Sequence, residues 1–432
     1  MKRALLVLLA SALAVPAQAS TKLLFAIRGY SNQALTVIDL SSGEVRDSVA
    51  AAGPGANSLV VRGDKLYVVN SGGSFIGLNA SIVVYSIADI INLPHPAPAA
   101  TIAVPDFKNP YDMVFVSDSK AYVSCLLDSS VIVLDAQNNL LGKRIQVGPG
   151  PEGLAVAGGK VYVANAYDPS TFAFGNTVSV ISTAADTVLR TVNTYANPQG
   201  VEVDNLGRPH VVSTGPYDST GRVTVLNPTV DTAIAVVHMH ADIGNVVFTS
   251  ANIGYTCGLS GGLLSYNATS FDTLRTGFHP SPVAGGTLAI DQDTLYVART
   301  GKLVFYAAET LDSLGQFPLK PGTAYPALAV YNGQIAAGAK EQERPSGFAL
   351  EQNYPNPFNP STTIRFRIPS AGYVSLAVFD ALGREVATLV DGQLHAGSYE
   401  IAWNAGNAAS GVYLCRLQTN GSRAVRKLLL VR

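Results

Sequence analysis

Cysteine is almost missing from this chain, with only Cys125, Cys257 and Cys415 in 432 residues. An odd, widely spaced set makes no disulfide framework, so the fold must be held by packing, and the three are expected to be small packing residues. Histidine (six), methionine (three) and tryptophan (one) are also scarce, which leaves few ligands for a metal centre. Charged residues are 14% of the chain and the net charge is −1. Residues 21–347 carry an acidic excess and 348–432 a small basic one. Neither has the basic field that nucleic-acid binding requires. After the first twenty residues no apolar run is long enough to span a bilayer as a helix, so no transmembrane segment is expected.

Residues 1–19 have the pattern of a secretory signal. Lys2 and Arg3 form the charged start, 5–15 the apolar core, and Ala17-Gln18-Ala19 the small-residue cleavage site. The mature chain is therefore expected to begin near Ser20 and to leave the cytoplasm.

What the chain does have is a phrase, clearest in residues 148–182. A Gly/Pro turn, a short apolar strand (153–157), a Gly-Gly turn, a second strand (161–165), a polar loop and a third strand (177–182) follow one another. The second strand recurs as Leu23-Leu24-Phe25-Ala26, Leu66-Tyr67-Val68-Val69, Ala121-Tyr122-Val123-Ser124, Val161-Tyr162-Val163-Ala164, His210-Val211-Val212-Ser213, Gly254-Tyr255-Thr256-Cys257 and Leu295-Tyr296-Val297-Ala298. The steps are 43, 55, 40, 49, 44 and 41 residues, and a period in the forties with several short strands per unit marks a propeller blade. One such sheet cannot bury both of its apolar faces, and a ring of them can. The chain enters on a second strand, at Leu23, so the first blade lacks its innermost strand. Residues 325–330 (YPALAV) are an orphan first-strand phrase that could complete it. The expected count is seven blades, or eight if the phrase at 334–338 is another.

Val161-Tyr162-Val163-Ala164-Asn165 and Leu66-Tyr67-Val68-Val69-Asn70, with Pro151-Glu152-Gly153-Leu154-Ala155-Val156 before the first of them, resemble the forty-residue β-propeller family named for its Y-V-T-N signature. That resemblance implies a fold and says little about function.

Residues 339–346 (AKEQERPS) read as a linker. After it, strands are expected at 362–368, 373–380, 385–390, 398–403, 412–417 and 425–431, separated by turns that include Leu382-Gly383, Asp391-Gly392 and Asn420-Gly421. That spacing suits a small immunoglobulin-type sandwich with Trp403 in its core. The run Asn353-Tyr354-Pro355-Asn356-Pro357-Phe358-Asn359-Pro360-Ser361-Thr362-Thr363-Ile364 resembles the C-terminal sorting domain of the type IX secretion system. Leu382-Gly383-Arg384, Ser410-Gly411-Val412-Tyr413 and Lys427-Leu428-Leu429-Leu430 match it as well. The resemblance implies passage to the periplasm, recognition of 348–432 by the type IX machinery, transport across the outer membrane, and release or surface attachment after cleavage near the linker.

Several catalytic-looking strings fail on context. Gly148-Pro149-Gly150-Pro151-Glu152-Gly153 fits G-x-G-x-x-G, but two prolines remove amides and a strand follows where a dinucleotide site needs a helix. Gly258-Leu259-Ser260-Gly261-Gly262 fits G-x-S-x-G but lies between two strands of one blade. Arg62-Gly63-Asp64 is a turn. His238-Met239-His240 with Asp242 is the one metal candidate, lacking a third ligand on its own blade.

Loop lengths say more. Turns between first and second strands are short, whereas long loops gather on the opposite face, at 70–81, 165–177 and 213–221. Two neighbouring blades repeat Tyr167-Asp168-Pro169-Ser170-Thr171 and Tyr217-Asp218-Ser219-Thr220 there, with Phe172 and Phe174 beside the first. Such a rim offers stacking faces and acceptors for a sugar, a peptide or a cation, although Asp and Ser also make local turns.

The expectation is thus an all-β chain. A signal at 1–19, a seven-bladed (or eight-bladed) propeller at 20–338, a linker at 339–347 and a sorting domain at 348–432 follow in order. It reads as a monomeric, cofactor-free binding or scaffold protein, secreted or on the outer cell surface, with an extracellular glycan or peptide as partner. An extracellular propeller lyase, lactonase or glycan-cleaving enzyme, and an adhesion or envelope-structural protein, are the alternatives.

Overall fold

The computed structural model describes residues 21–29, 33–73, 79–105, 108–216, 221–241, 243–257, 262–277, 281, 283, 285–333, 348–368, 372–394, 397–406, 408–419 and 421–431. The expected signal (1–19) and linker (339–347), and the phrase at 334–338, lie outside these residues.

Among the described residues, seven antiparallel sheets of four strands follow one another as blades. Blade 2 is typical, with Ala56–Arg62 innermost, then Lys65–Asn70, Ser81–Ser86 and Ala100–Ala103. Blade 1 is assembled from both ends of the propeller. Thr21–Arg28 pairs with Ala327–Gly333, Leu24 opposite Val330 and Ala26 opposite Leu328. The orphan phrase does supply the missing innermost strand.

Ring closure is visible in the inner strands. Ala327–Gly333 lies against Ala56–Arg62, that strand against Pro110–Phe115, and so on through Pro151–Ala157, Pro198–Val203, Val246–Phe248 and Thr287–Asp291. The last of these lies against Ala327–Gly333 again. Strand alternation explains why a ring forms. In Thr21–Arg28, Leu23 and Phe25 pack with Leu66 and Val68 of blade 2, while Leu24 and Ala26 pack with Tyr296 and Ala298 of blade 7. Each sheet has two apolar faces, and a neighbour on each side buries both. The long step between blades 2 and 3 comes from the short helix Ile87–Asn92, capped by Ser86, inserted before the outermost strand.

Polar latches also join the blades. Lys120 and Tyr122 of blade 3 both reach Asp186, in the turn between the last two strands of blade 4. One blade on, Lys160 Nζ (2.7 Å) and Tyr162 Oη (2.6 Å) donate to Asp231 at the same place in blade 5. Both aspartates sit at positive φ, 55° and 53°, so the turn aims them back at the preceding blade. Blade 5 uses a different device. Buried His210 joins Asp204 (3.2 Å) to Tyr266 of blade 6 (2.8 Å). Burial alone would raise the Asp204 carboxyl, yet bonds from His210, Arg208 and Asn252 hold it far below the usual range.

The C-terminal part is a second core between two sheets. Ala349–Leu350, Ser361–Ile368 and Gly397–Asn404 form one, and Glu385–Leu394, Gly372–Phe379, Gly411–Thr419 and Arg423–Leu430 the other. Trp403 is in that core with Phe358, Phe366, Leu376 and Leu417, as expected. The Asp391-Gly392 turn is not observed. Both residues continue the strand Glu385–Leu394, opposite Ser375 and Val374, and the Tyr373 hydroxyl donates to Asp391 across the pair (2.6 Å). Two bulges earlier in this strand shift its register, so the ladder outlasts the local turn signal. All three cysteines are free and buried, as packing residues should be.

Candidate binding site on the loop face

In a four-stranded meander the loops after the second and fourth strands leave on one face. The starts of the innermost strands lie at the same end, around the mouth of the central channel. Blades 2 to 5 begin these strands alike, with Ala56-Asn57-Ser58, Pro110-Tyr111-Asp112, Pro151-Glu152-Gly153 and Pro198-Gln199-Gly200. All four carry a register shift there, between Ala56 and Ser58, Pro110 and Met113, Pro151 and Leu154, and Pro198 and Gly200. A bulge releases a residue from the ladder and re-aims its side chain. At Gly153 the neighbouring blade comes so near that a Cβ would stand 2.7 Å from Gly200 Cα. Only glycine permits that approach.

Two of these bulges carry a carboxyl, Asp112 and Glu152, and a third carboxyl, Glu202, stands two residues past another bulge; the sequence singled out none of them as a site. Asp112 is fully engaged, since Oδ1 accepts from Ser58 Oγ (2.7 Å) and Oδ2 from Leu154 N (3.1 Å). Glu152 is the opposite case. It is 4% exposed, and its Oε2 is buried without a hydrogen-bond partner. Burial pushes this carboxyl up to about 8, because an unpaired charge cannot be solvated there. Glu202, two blades from Asp112, is pushed to about 8 by desolvation and by Asp112. Glu202 is exposed, so solvent screens this interaction. The Tyr111 hydroxyl is driven far up, first by Glu152, then by burial, Asp112 and Tyr167. Glu152, Asp112 and Tyr167 thus all lie within electrostatic reach of Tyr111.

Of the expected rim, the blade 4 half follows the second strand of its blade. Tyr167 ends the strand Lys160–Tyr167 and pairs with Phe174. Phe172 is 72% exposed and Phe174 39%. Asp168 turns inward on its own loop, accepting from Ser170 N (2.8 Å) and Ser170 Oγ (2.6 Å), and those bonds lower its carboxyl. Tyr217 and Asp218 lie outside the described residues. The Y-V-x-N asparagine is structural here. Asn165 Nδ2 donates to Thr177 Oγ1 (2.9 Å) and Ser179 Oγ (3.1 Å), packed against Gly148 where no Cβ would fit.

Of the other strings, Gly258-Leu259-Ser260-Gly261 lies outside the described residues, and the rest show plain local roles. The glycines at 148–153 lead into the strand Pro151–Ala157. Gly63 makes a positive-φ turn. His238 ends its strand and His240 takes φ 55°, their rings stacked 6.0 Å apart around buried Met239. Asp242 lies outside the described residues. Among the described residues no three His, Cys, Asp or Glu side chains gather as a metal site.

In the C-terminal sandwich the Asn356-Pro357-Phe358-Asn359-Pro360 run lies along the final strand. Asn356 Oδ1 accepts from Leu429 N (2.8 Å), and its Nδ2 donates to the Lys427 carbonyl (3.3 Å). Phe358 N donates to Leu429 O (2.9 Å), and its ring sits 5.4 Å from that of Trp403. Gly383 closes a positive-φ turn organised by Asp380, and Gly411 opens the strand Gly411–Thr419. The motif thus belts the last strand to the core.

Residues 352–431 match the family described as the secretion system C-terminal sorting domain. They are a type IX sorting domain, and the chain is exported by that system to the cell surface or the medium. No helix of the described residues is long and apolar enough to cross a membrane. Among solved structures, hydrazine synthase of Kuenenia stuttgartiensis is similar at 16% identity and TM-score 0.50, over 66% of this chain and 98% of that one. A Lactobacillus plantarum protein is similar at 13% identity and TM-score 0.56, over 72% and 99%. At such identities these show the fold alone. No curated protein matches the sequence.

Proposed function

We propose that the chain is a binding protein rather than an enzyme, a propeller (20–338) carried out of the cell by 348–432 through the linker 339–347. It holds an extracellular peptide or glycan on its loop face, and the linker is where the sorting domain is removed. The observation that carries this reading is the asymmetry of the ring. Apart from the helix Ile87–Asn92 in blade 2, tight turns close one face, while the other bears the exposed Phe172 and Phe174 beside Tyr167. Exposed aromatic side chains around a concave mouth are the usual dress of a recognition surface.

Two measurements test it. Cells making the chain with and without 348–432 are fractionated, and export is expected to need that segment. The purified protein is then applied to peptide and glycan arrays. Capture is expected for the unaltered chain and at least tenfold less for the Tyr167→Ala, Tyr217→Ala pair with normal folding. Unchanged capture by the pair removes the rim from the reading, and export of the truncated chain removes the address.

A further inference from the structure

We infer that the outer face of the strands Gly411–Thr419 and Arg423–Leu430 is the surface by which the export machinery reads this chain, and that its partner there is an acidic protein surface with an apolar centre. The inference rests on the type IX address and adds the face, and the chemistry, that would be read.

Strand alternation divides these two strands into an inner and an outer set. Tyr413, Cys415, Leu417, Leu428 and Leu430 pack in the core with Trp403. The positions between them pair across the ladder on the outer side, Val412 with Leu429, Leu414 with Lys427, Arg416 with Val425 and Gln418 with Arg423. Directly opposed residues on one face are neighbours, so aliphatic and cationic side chains are interleaved over one patch. Val412, Leu414 and Val425 are 38%, 39% and 39% exposed. Arg416 Cζ lies 4.2 Å from the centre of the Phe379 ring, which extends the patch onto the strand Gly372–Phe379. Outward positions in a sandwich are ordinarily polar. The other sheet keeps to that rule along Ser361–Ile368, where Ser361, Thr363 and Arg365 alternate with buried Thr362, Ile364 and Phe366. The two sheets of one small domain thus present unlike faces.

Charge selects the partner. No Asp or Glu follows Glu400, whereas Arg416, Arg423, Arg426, Lys427 and Arg432 do. The carboxylates of this sheet stand on its far edge strand, Glu385–Leu394, where Glu385 accepts from Thr388 and Asp391 from Tyr373 (2.6 Å). A basic patch with no carboxylate on its own two strands steers an acidic surface onto it, and the aliphatic side chains supply the contact that loses water. Neither strand carries Trp or Tyr on its outer side, the aromatics that gather at a bilayer interface, so a protein suits the face better than lipid. The Asn356-Pro357-Phe358 run supports it from the edge. Its bonds to the backbone of Lys427 and Leu429 fix the last strand, and with it the outward side chains of Val425, Lys427 and Leu429.

Full-length chains carrying Arg423→Glu with Lys427→Glu, Leu414→Gln, or Arg365→Glu on the other sheet are made in the secreting cells, beside a chain lacking 348–432. The paired charge reversal is expected to lower export at least tenfold and Leu414→Gln at least threefold, with the chain held in the periplasm. Arg423→Lys with Lys427→Arg keeps the charges and is expected to export normally, as is Arg365→Glu. Because all these side chains point away from the core, the unfolding midpoint read from Trp403 is expected to stay where it is in every variant. Normal export of both face variants refutes the docking face, as does a fall that is matched by a lowered midpoint or shared by Arg365→Glu. Charge-dependent binding of the purified chain to phosphatidylglycerol vesicles, with export unchanged, gives the face to lipid and refutes it too. Export of the chain lacking 348–432 removes the address itself, whereas its retention beside normally exported face variants removes the face alone.

Discussion

The most discriminating consequence of a neutral buried Glu152 is the sign of the pH dependence it imposes on folding. Its carboxyl titrates near 4.5 when unfolded and at about 8 in the native ring. Between those values the native state holds a proton that the unfolded state has lost, so stability falls as pH rises. The group's full contribution is present below pH 4.5 and gone above about pH 8. At about 1.4 kcal/mol per pH unit, the loss between pH 5 and pH 9 is roughly 4 kcal/mol. Glu152→Gln keeps the shape and removes the titration. It is expected to match the unaltered protein at pH 5 to within about 1 kcal/mol and to exceed it by roughly 3–4 kcal/mol at pH 9. Urea unfolding of both proteins at pH 5, 7 and 9 measures this. Glu202 titrates in the same window but is present in both, so the difference between the two curves isolates Glu152. Parallel curves, or a Gln variant weaker at every pH, would mean that Glu152 is charged and paired, and the reasoning would fail.

Asp231→Ala leaves Lys160 and Tyr162 facing a blade interface without their acceptor. A loss of about 2–4 kcal/mol is expected in urea unfolding, partly recovered when Lys160→Met is added. Full additivity of the two substitutions would show that the latch is not a coupled unit. Phe358→Ala removes a 2% exposed ring from the sandwich core, at about 3–5 kcal/mol. Because Trp403 is the only tryptophan and lies 5.4 Å from that ring, its fluorescence should report a lowered midpoint. Export to the medium should fall with it, and an unchanged midpoint would contradict the belt role.

The propeller was legible because its pattern is local and repeated. Alternation in Leu23-Leu24-Phe25-Ala26 already assigns two faces to one strand, and the phrase Tyr325-Pro326-Ala327-Leu328 has nowhere to pair except the incomplete first blade. Strand boundaries failed where a local signal competed with a ladder, as at Asp391-Gly392, whose cross-strand partners Ser375 and Val374 outweigh its turn preference. Glu152 escaped notice for a different reason. In Gly148-Pro149-Gly150-Pro151-Glu152-Gly153 it looks like an ordinary turn residue ahead of the apolar strand. Its neighbours come from far along the chain, Tyr111 forty-one residues earlier and the inner strand at Gly200, which approaches Gly153 closely. The same holds for Asp231, whose partners lie 69 and 71 residues back. One signal could have found the latch, namely the Lys-x-Tyr start shared by Lys120-Ala121-Tyr122 and Lys160-Val161-Tyr162, each followed by an aspartate in the next blade's last turn. A ring makes such pairs by closing. Polar residues that look like surface in any single repeat become interior wherever two blades meet.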